Sequence, residues 1–192
     1  MKPSDNQKAC SGVVLAGGRS SRFGQDKGLF TFHGKALAAH ALDIIRPHCG
    51  ELMISTNRPE DYARLLTPTV ADIFPECGPM GGIHAALKKA GKSILVVIGC
   101  DMPLVPALLI GHLLQEIKGH QVVIPVHEGF SETMCAVYTK ECLPVIERAL
   151  TQKTFKILDV LEQLDTRFLE IDRQPFYRPG MFHNINYRED TL

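Results

Sequence analysis

Residues 94–98 read Ile-Leu-Val-Val-Ile, five apolar side chains of which four are β-branched. Such a strand leaves neither face for water, so it must lie centrally in a sheet covered on both sides. Residues 12–15, nearly all apolar, make the same demand. Between and beyond them, apolar β-rich runs alternate with helix-period segments. That order favours a mostly parallel sheet with helices on both faces. Further strands are expected at 52–55, 69–71, 122–125, 135–139 and 167–171. Helices are expected at about 36–45, 59–66, from the glycines at 78–82 on to Lys89, then 106–117, 143–150 and 155–164. The implied fold class is α/β, a Rossmann-like three-layer sandwich. A chain of 192 residues fills one such domain and is short for two.

Charge excludes some functions. The chain carries 21 basic and 21 acidic residues, net zero, without the basic surplus that neutralising nucleic-acid phosphates calls for. The first residues are polar and lack the apolar core of a signal peptide, and no apolar run approaches membrane-spanning length. The six cysteines are scattered with no Cys-x-x-Cys pair, which points to buried thiols in a reducing compartment. The expectation is a cytoplasmic protein with no nucleic-acid or membrane partner.

The polar loop after the first strand is the most informative stretch. A loop there lies at the carboxyl edge of the sheet, where ligands bind. Gly17 and Gly18 let the main chain approach a ligand and present N–H groups to phosphate oxygens. Arg19, Arg22 and Lys27 add three cations, suited to stabilising the negative charge of phosphoryl transfer. Neither Gly-x-x-x-x-Gly-Lys-Ser/Thr nor Gly-x-Gly-x-x-Gly is present, so the P-loop and dinucleotide-binding readings lose local support. Asp101 follows the strongest strand and faces the same edge. Magnesium favours one or two carboxylates with phosphate oxygens and water, so this aspartate is chemically adequate as its ligand.

The string Leu15-Ala16-Gly17-Gly18-Arg19-Ser20-Ser21-Arg22-Phe23-Gly24-Gln25-Asp26-Lys27 resembles the signature of molybdenum cofactor guanylyltransferases, the MobA-like nucleotidyltransferases. The resemblance implies a nucleotide-diphospho-sugar transferase type of fold and a single domain over 1–192. Within it, 1–10 are expected to be flexible, 11–105 to form the nucleotide-binding half and 106–192 the acceptor-binding half. It implies transfer of GMP from GTP to the terminal phosphate of molybdopterin or Mo-molybdopterin, with release of pyrophosphate. Magnesium is the implied cofactor, held by Asp101 in a motif like the family's Cys-Asp-x-Pro. Lys27, Arg22 and Asp101 are the implied catalytic residues. The backbone of Leu15, Ala16 and Gly17, with Gly18, Arg19 and Lys27, is expected to hold the nucleotide.

Gly78-Pro79-Met80-Gly81-Gly82 looks like the family's Gly-Pro-Leu-x-Gly element, which contacts the purine through Gly78, Pro79 and Gly82. Asp72 matches an aspartate near the ribose. Ser55 stands where relatives often have a nucleotide-contacting asparagine, a departure that leaves only part of that hydrogen-bond pattern. Residues 182–186 match Phe-x-Asn-Ile-Asn, although Tyr187-Arg188 replaces the usual Thr-Pro, and Asn184 and Asn186 are candidates to orient the acceptor or assist the metal. His33, His40, His84 and His183 share no ligand spacing and are read as packing or surface residues. The resemblance runs from about Gly12 to Leu192 and is loosest over 119–178, the part that carries the pterin side in the family. It also implies other cofactor-biosynthesis proteins or molybdoenzyme chaperones as partners. Two alternatives stay open: a sibling transferase using CTP or another phosphorylated acceptor, and a GTP-binding carrier without turnover.

Overall fold

A computed structural model describes residues 9–17 and 26–185. The expected flexibility of the N-terminus falls largely on residues 1–8, outside the described residues, as do Gly18, Arg19, Arg22 and Asn186.

Strand β1 (Cys10–Leu15) lies between β4 (Glu51–Ser55) and β6 (Ile94–Gly99) and is parallel to both. Beyond β4 comes β5 (Thr69–Val70), also parallel. On the other flank, β9 (Cys135–Thr139) runs antiparallel to β6 and to β7 (Val122–His127). The edge strand β10 (Thr166–Glu170) is parallel to β7, and the short β8 (Phe130–Ser131) folds back on β7 as a hairpin. The sheet has eight strands, and β9 and β8 are the reversed ones. All six parallel strands therefore end at one edge.

Strict alternation along the central strands builds two cores. Val14, Val96 and Ile98 pack under α1 (Leu37–Ile45) and α3 (Ala107–Glu116). Val13, Leu15, Leu95 and Val97 pack on the opposite face under α2 (Pro79–Lys89), α4 (Leu143–Thr151) and α5 (Ile157–Leu161). This is the three-layer sandwich that the doubly apolar strands require.

Two expected helices differ. Residues 59–66 form a 3-10 helix, Pro59–Leu65, closed by Leu66 in the left-handed region at φ 48°. It buries Tyr62 alone, too little apolar surface to pull a full α-helical face against the sheet. Residues 155–164 shorten to α5, because only Val160 and Leu161 of that helix are buried while Phe155 and Leu158 stay exposed. Two hairpins were also absent from the expected elements. One pairs β2 (Thr31–Phe32) with β3 (Lys35–Ala36) across His33 and Gly34, the other pairs β7 with β8 across Glu128 and Gly129. Both turn residues have positive φ in each case (46° and 79°, 49° and 78°), the mirror-image turn that matches strand twist. The usual marker is Asn-Gly or Asp-Gly, so His-Gly and Glu-Gly pass unnoticed in sequence.

Candidate nucleotide-transfer site

A cleft of about 620 Å³ opens over the carboxyl ends of β1, β4 and β5. Leu15, Ala16 and Gly17 form its floor, with Ser55, Asp72, Gly78, Pro79 and Gly82 on the surrounding walls. It also takes in Asp26, Thr56, Asn57, Arg58 and Glu76. Its volume falls in the range of small-molecule sites.

The floor is an extension of the sheet. Ala16 N–H donates to Ser55 O at 3.0 Å, and Cys100 N–H donates to Leu15 O at 3.1 Å, so the loop leaves the strand from a fixed point. A Cβ on Gly17 would come no nearer than 3.9 Å to a described protein atom, Ser55 O. Packing against the described residues therefore does not demand glycine at 17, and the main chain is open to the cleft there. Gly82 differs. A Cβ there would sit 2.5 Å from Ser55 Oγ and 3.1 Å from Leu15 Cδ2, so glycine lets α2 settle directly on the strand ends. Ser55 is buried beneath it, which gives the serine a packing role whatever it offers a nucleotide. Gly78 adopts φ 60°, ψ −150°, a region essentially reserved for glycine. The chain then enters α2 with Pro79 in its first turn and no side-chain cap, so the positive end of the helix borders the cleft.

Asp72 and Asn57 hold each other. Asn57 Nδ2 donates to Asp72 Oδ2 at 3.1 Å, and Asp72 N–H donates to Asn57 Oδ1 at 2.9 Å, joining the loops after β4 and β5. Burial raises the Asp72 carboxyl above its ordinary pKa, partly offset by Asn57. The residues that follow β4 thus shape the cleft wall: Asn57 by fixing Asp72, and Thr56 by accepting Arg58 N–H at 3.1 Å.

Lys27 and Asp101 meet at this edge, Nζ to Oδ2 at 2.7 Å, with side chains 18% and 24% exposed. Three segments hold the backbone around Asp101. The β1 end accepts Cys100 N–H, Met134 O accepts Gly99 N–H at 2.8 Å, and Ile185 N–H donates to Asp101 O at 3.0 Å. A Cβ on Gly99 would lie 2.7 Å from Asp101 Oδ1, so glycine at 99 lets the carboxylate fold over the strand end. Helix α3 begins at Ala107 with Pro106 before it, so Asp101 is not its cap.

Three positions of this site escaped the sequence reading. Tyr62, fully buried, donates its hydroxyl to the Asp26 carboxylate, which also accepts Gly28 N–H at 3.0 Å. Burial and that carboxylate raise the phenol far above its ordinary range. A Cβ on Gly28 would collide with the Tyr62 hydroxyl. Asp26 is thereby tied to Tyr62 at the cleft edge while its neighbour Lys27 reaches Asp101. Asp26 and Gly28 lie inside or beside the recognised string and could have been singled out; a lone tyrosine in a helix-period stretch carries no signal.

Among the described candidates, the structure brings Leu15, Ala16, Gly17, Lys27, Ser55, Asp72, Gly78, Pro79, Gly82, Asp101 and Asn184 to one sheet edge. Asn184 precedes the residue bonded to Asp101 O, and its Oδ1 is buried without a hydrogen-bond partner among the described residues. The histidines singled out stay apart: His33 sits in a turn, His40 contacts Phe32 O at 2.8 Å, His84 is buried on α2 and His183 is exposed. All six cysteines are free, and burial raises the thiols of Cys100, Cys135 and Cys142, the last to about 11. Among the described residues, no cluster of three or more His, Cys, Asp or Glu is arranged to hold a metal. No helix there is long and apolar enough to cross a membrane.

Residues 12–167 match the model of the MobA-like NTP transferase domain. The molybdenum cofactor guanylyltransferase of Vibrio cholerae is 31% identical over 97% of this chain and 89% of its own. That of Desulfosudis oleivorans is 33% identical over 95% and 92%. The crystal structure of molybdopterin-guanine dinucleotide biosynthesis protein A from Archaeoglobus fulgidus superimposes with a TM-score of 0.80, at 28% identity over 94% of each chain.

Proposed function

The chain belongs to the MobA-like NTP transferase family, and we propose that it is a molybdenum cofactor guanylyltransferase. It transfers GMP from GTP to the terminal phosphate of molybdopterin or its molybdenum-loaded form and releases pyrophosphate. The observation that carries this reading is the Lys27–Asp101 pair beside a nucleotide-sized cleft. Relatives over nearly the full length bear the same activity in their names.

The purine lies against Gly78, Pro79 and Gly82, the ribose near Asp72, and the phosphates run over Gly17 and Gly18 towards Lys27. Arg19 and Arg22 add positive charge to the same loop. The acceptor phosphate is already anionic, so no protein base is needed. The chain's own work is to align the two phosphates and to balance the charge that develops on the departing pyrophosphate, the task of Lys27 and Arg22.

The residues fit magnesium. Asp101 would supply a carboxylate to hold it, and Asn184, beside the residue bonded to Asp101 O, has an Oδ1 without a hydrogen-bond partner among the described residues that would be a second candidate. The chemistry that magnesium would supply there is neutralisation of phosphate charge. Asn184 and Asn186 also orient the acceptor. The single domain divides into a nucleotide half at 11–105 and an acceptor half at 106–192. Free, buried thiols and a GTP substrate suit the cytoplasm. Delivery of the acceptor and hand-over of the product suit contacts with other cofactor-biosynthesis proteins or molybdoenzyme chaperones.

The test is pyrophosphate release from GTP, ATP and CTP, each with and without molybdopterin, with magnesium and then with EDTA. Release confined to GTP plus acceptor, and lost in EDTA, is the expected result. Release with CTP overturns the base assignment, and tight GTP binding without release makes the protein a carrier.

A further inference from the structure

Among the described residues, two close pairs of a basic and an acidic side chain have both partners less than a quarter exposed. One is Lys27–Asp101. The other joins His127 Nε2 to Glu132 Oε1 at 2.9 Å, with side chains 16% and 20% exposed. Sheltering a charged or polar pair costs desolvation that it recovers only in part, so such a pair argues for a use beyond stability.

Its place in the fold supports that. Ile98 pairs with Cys135, and Glu132 N–H donates to Pro125 O at 3.0 Å, so β6, β9 and β7 lie side by side at this level. His127 ends β7 two strand positions from β6, roughly 10 Å at ordinary strand spacing, on the flank away from the nucleotide cleft. One segment ties it to the transfer site: Phe182 stacks on the His127 ring with centroids 4.6 Å apart, and Ile185 bonds Asp101 O. The β7–β8 hairpin is clamped, with Glu128 N–H donating to the Asp172 carboxylate at 3.1 Å and Tyr177 OH donating to Glu128 Oε1 at 3.2 Å. That hairpin presents Phe130, 67% exposed, directly across from His127.

We propose that Glu132, held by His127 and backed by Phe182, recognises the acceptor's flat heterocycle, with Phe130 as an apolar flank. The inference rests on the guanylyltransferase reading and extends it to named acceptor contacts. A carboxylate offers about four acceptor positions, and His127 is the one side-chain partner of Glu132 among the described residues. The amino-oxo pyrimidine edge of a pterin presents adjacent N–H donors that suit a carboxylate held in this way. Guanine carries the same edge. The nucleotide cleft, however, lies beyond Asp101 over β1, β4 and β5, which leaves the β9–β7 flank to the second substrate.

The experiment is steady-state pyrophosphate release by wild type, Glu132→Gln and Phe130→Ala, varying molybdopterin at saturating GTP and then the reverse. Glu132→Gln keeps shape and Phe130 is exposed, so thermal melting should match wild type. The acceptor KM is expected to rise about 10–100-fold in Glu132→Gln, the range for losing a charge-assisted hydrogen bond, and about threefold in Phe130→Ala. The GTP KM should stay within twofold. An unchanged acceptor KM in Glu132→Gln overturns the inference alone. A raised GTP KM with unchanged acceptor KM moves the carboxylate to the guanine. No turnover by wild type overturns the guanylyltransferase reading and this inference together.

Discussion

The two flanks of the carboxyl edge are built on different principles. On the β1–β4–β5 side glycines shape the cleft: Gly17 leaves room, Gly78 turns into α2, and Gly82 lets that helix rest on Ser55 and Leu15. On the β9–β7 side the feature is a cluster of side chains, His127, Glu132, Phe130, Tyr177 and Phe182, carried on a hairpin and the segment that follows β10. Main-chain recognition needs glycine at fixed spacing, so it writes itself into a contiguous string. A side-chain cluster assembled from residues 127, 132 and 182 leaves no such string. The same reaction edge is therefore legible on one flank and silent on the other.

The largest effect is expected where the flanks meet. Asp101→Ala removes the carboxylate that pairs with Lys27 where the flanks meet, and kcat should fall by about a thousandfold or more, the scale of losing preorganised charge at a reacting phosphate. Binding of GTP, followed by calorimetry, should change far less. A variant with full turnover would remove Asp101 from the reaction and dissolve the shared point between the flanks.

Next comes Gly82→Ala. Its methyl has to displace Ser55 Oγ or lift α2, and overpacking of this kind costs about 1–3 kcal/mol. The GTP KM should rise while the acceptor KM holds. Equal rises in both would show that the flanks are not separable.

Tyr62→Phe is expected to cost about 1–2 kcal/mol in denaturant unfolding, because the Asp26 carboxylate loses a buried donor. It should also raise the GTP KM severalfold by loosening Lys27. An unchanged GTP KM with lowered stability would confine Tyr62 to the core.

The smallest effect concerns α2 and α4. His84 is fully buried, edge-on to Phe74, with Glu147 3.8 Å away, too far for a hydrogen bond. Burial lowers its pKa; Glu147 opposes the shift, and Lys88 adds to it. The folded protein therefore prefers the neutral ring, while the unfolded chain takes up a proton below about pH 6.5. Stability from this residue is present above that value and declines as pH falls towards the folded pKa, by at most about 1.4 kcal/mol per unit. Melting temperature should drop between pH 7.5 and 5.5, and the drop should shrink in His84→Phe. An identical drop in the variant would assign the acid sensitivity to other groups.

Sequence alone determined the parallel centre of the sheet. Strands as apolar as residues 94–98 have one environment open to them, and parallel strands end at a common edge. It also marked out residues 15–27, whose glycines and cations are suited to phosphate, beside that edge. Tertiary structure decided the rest. Asp26 bonds Tyr62, Gly99 makes room for Asp101, Ser55 is wedged under Gly82, and His127 meets Glu132 through a turn with no conventional marker. Each of these depends on which elements lie side by side. Local propensity does not encode that; it is set by burial of two apolar sheet faces at once and by the crossovers that place distant segments together.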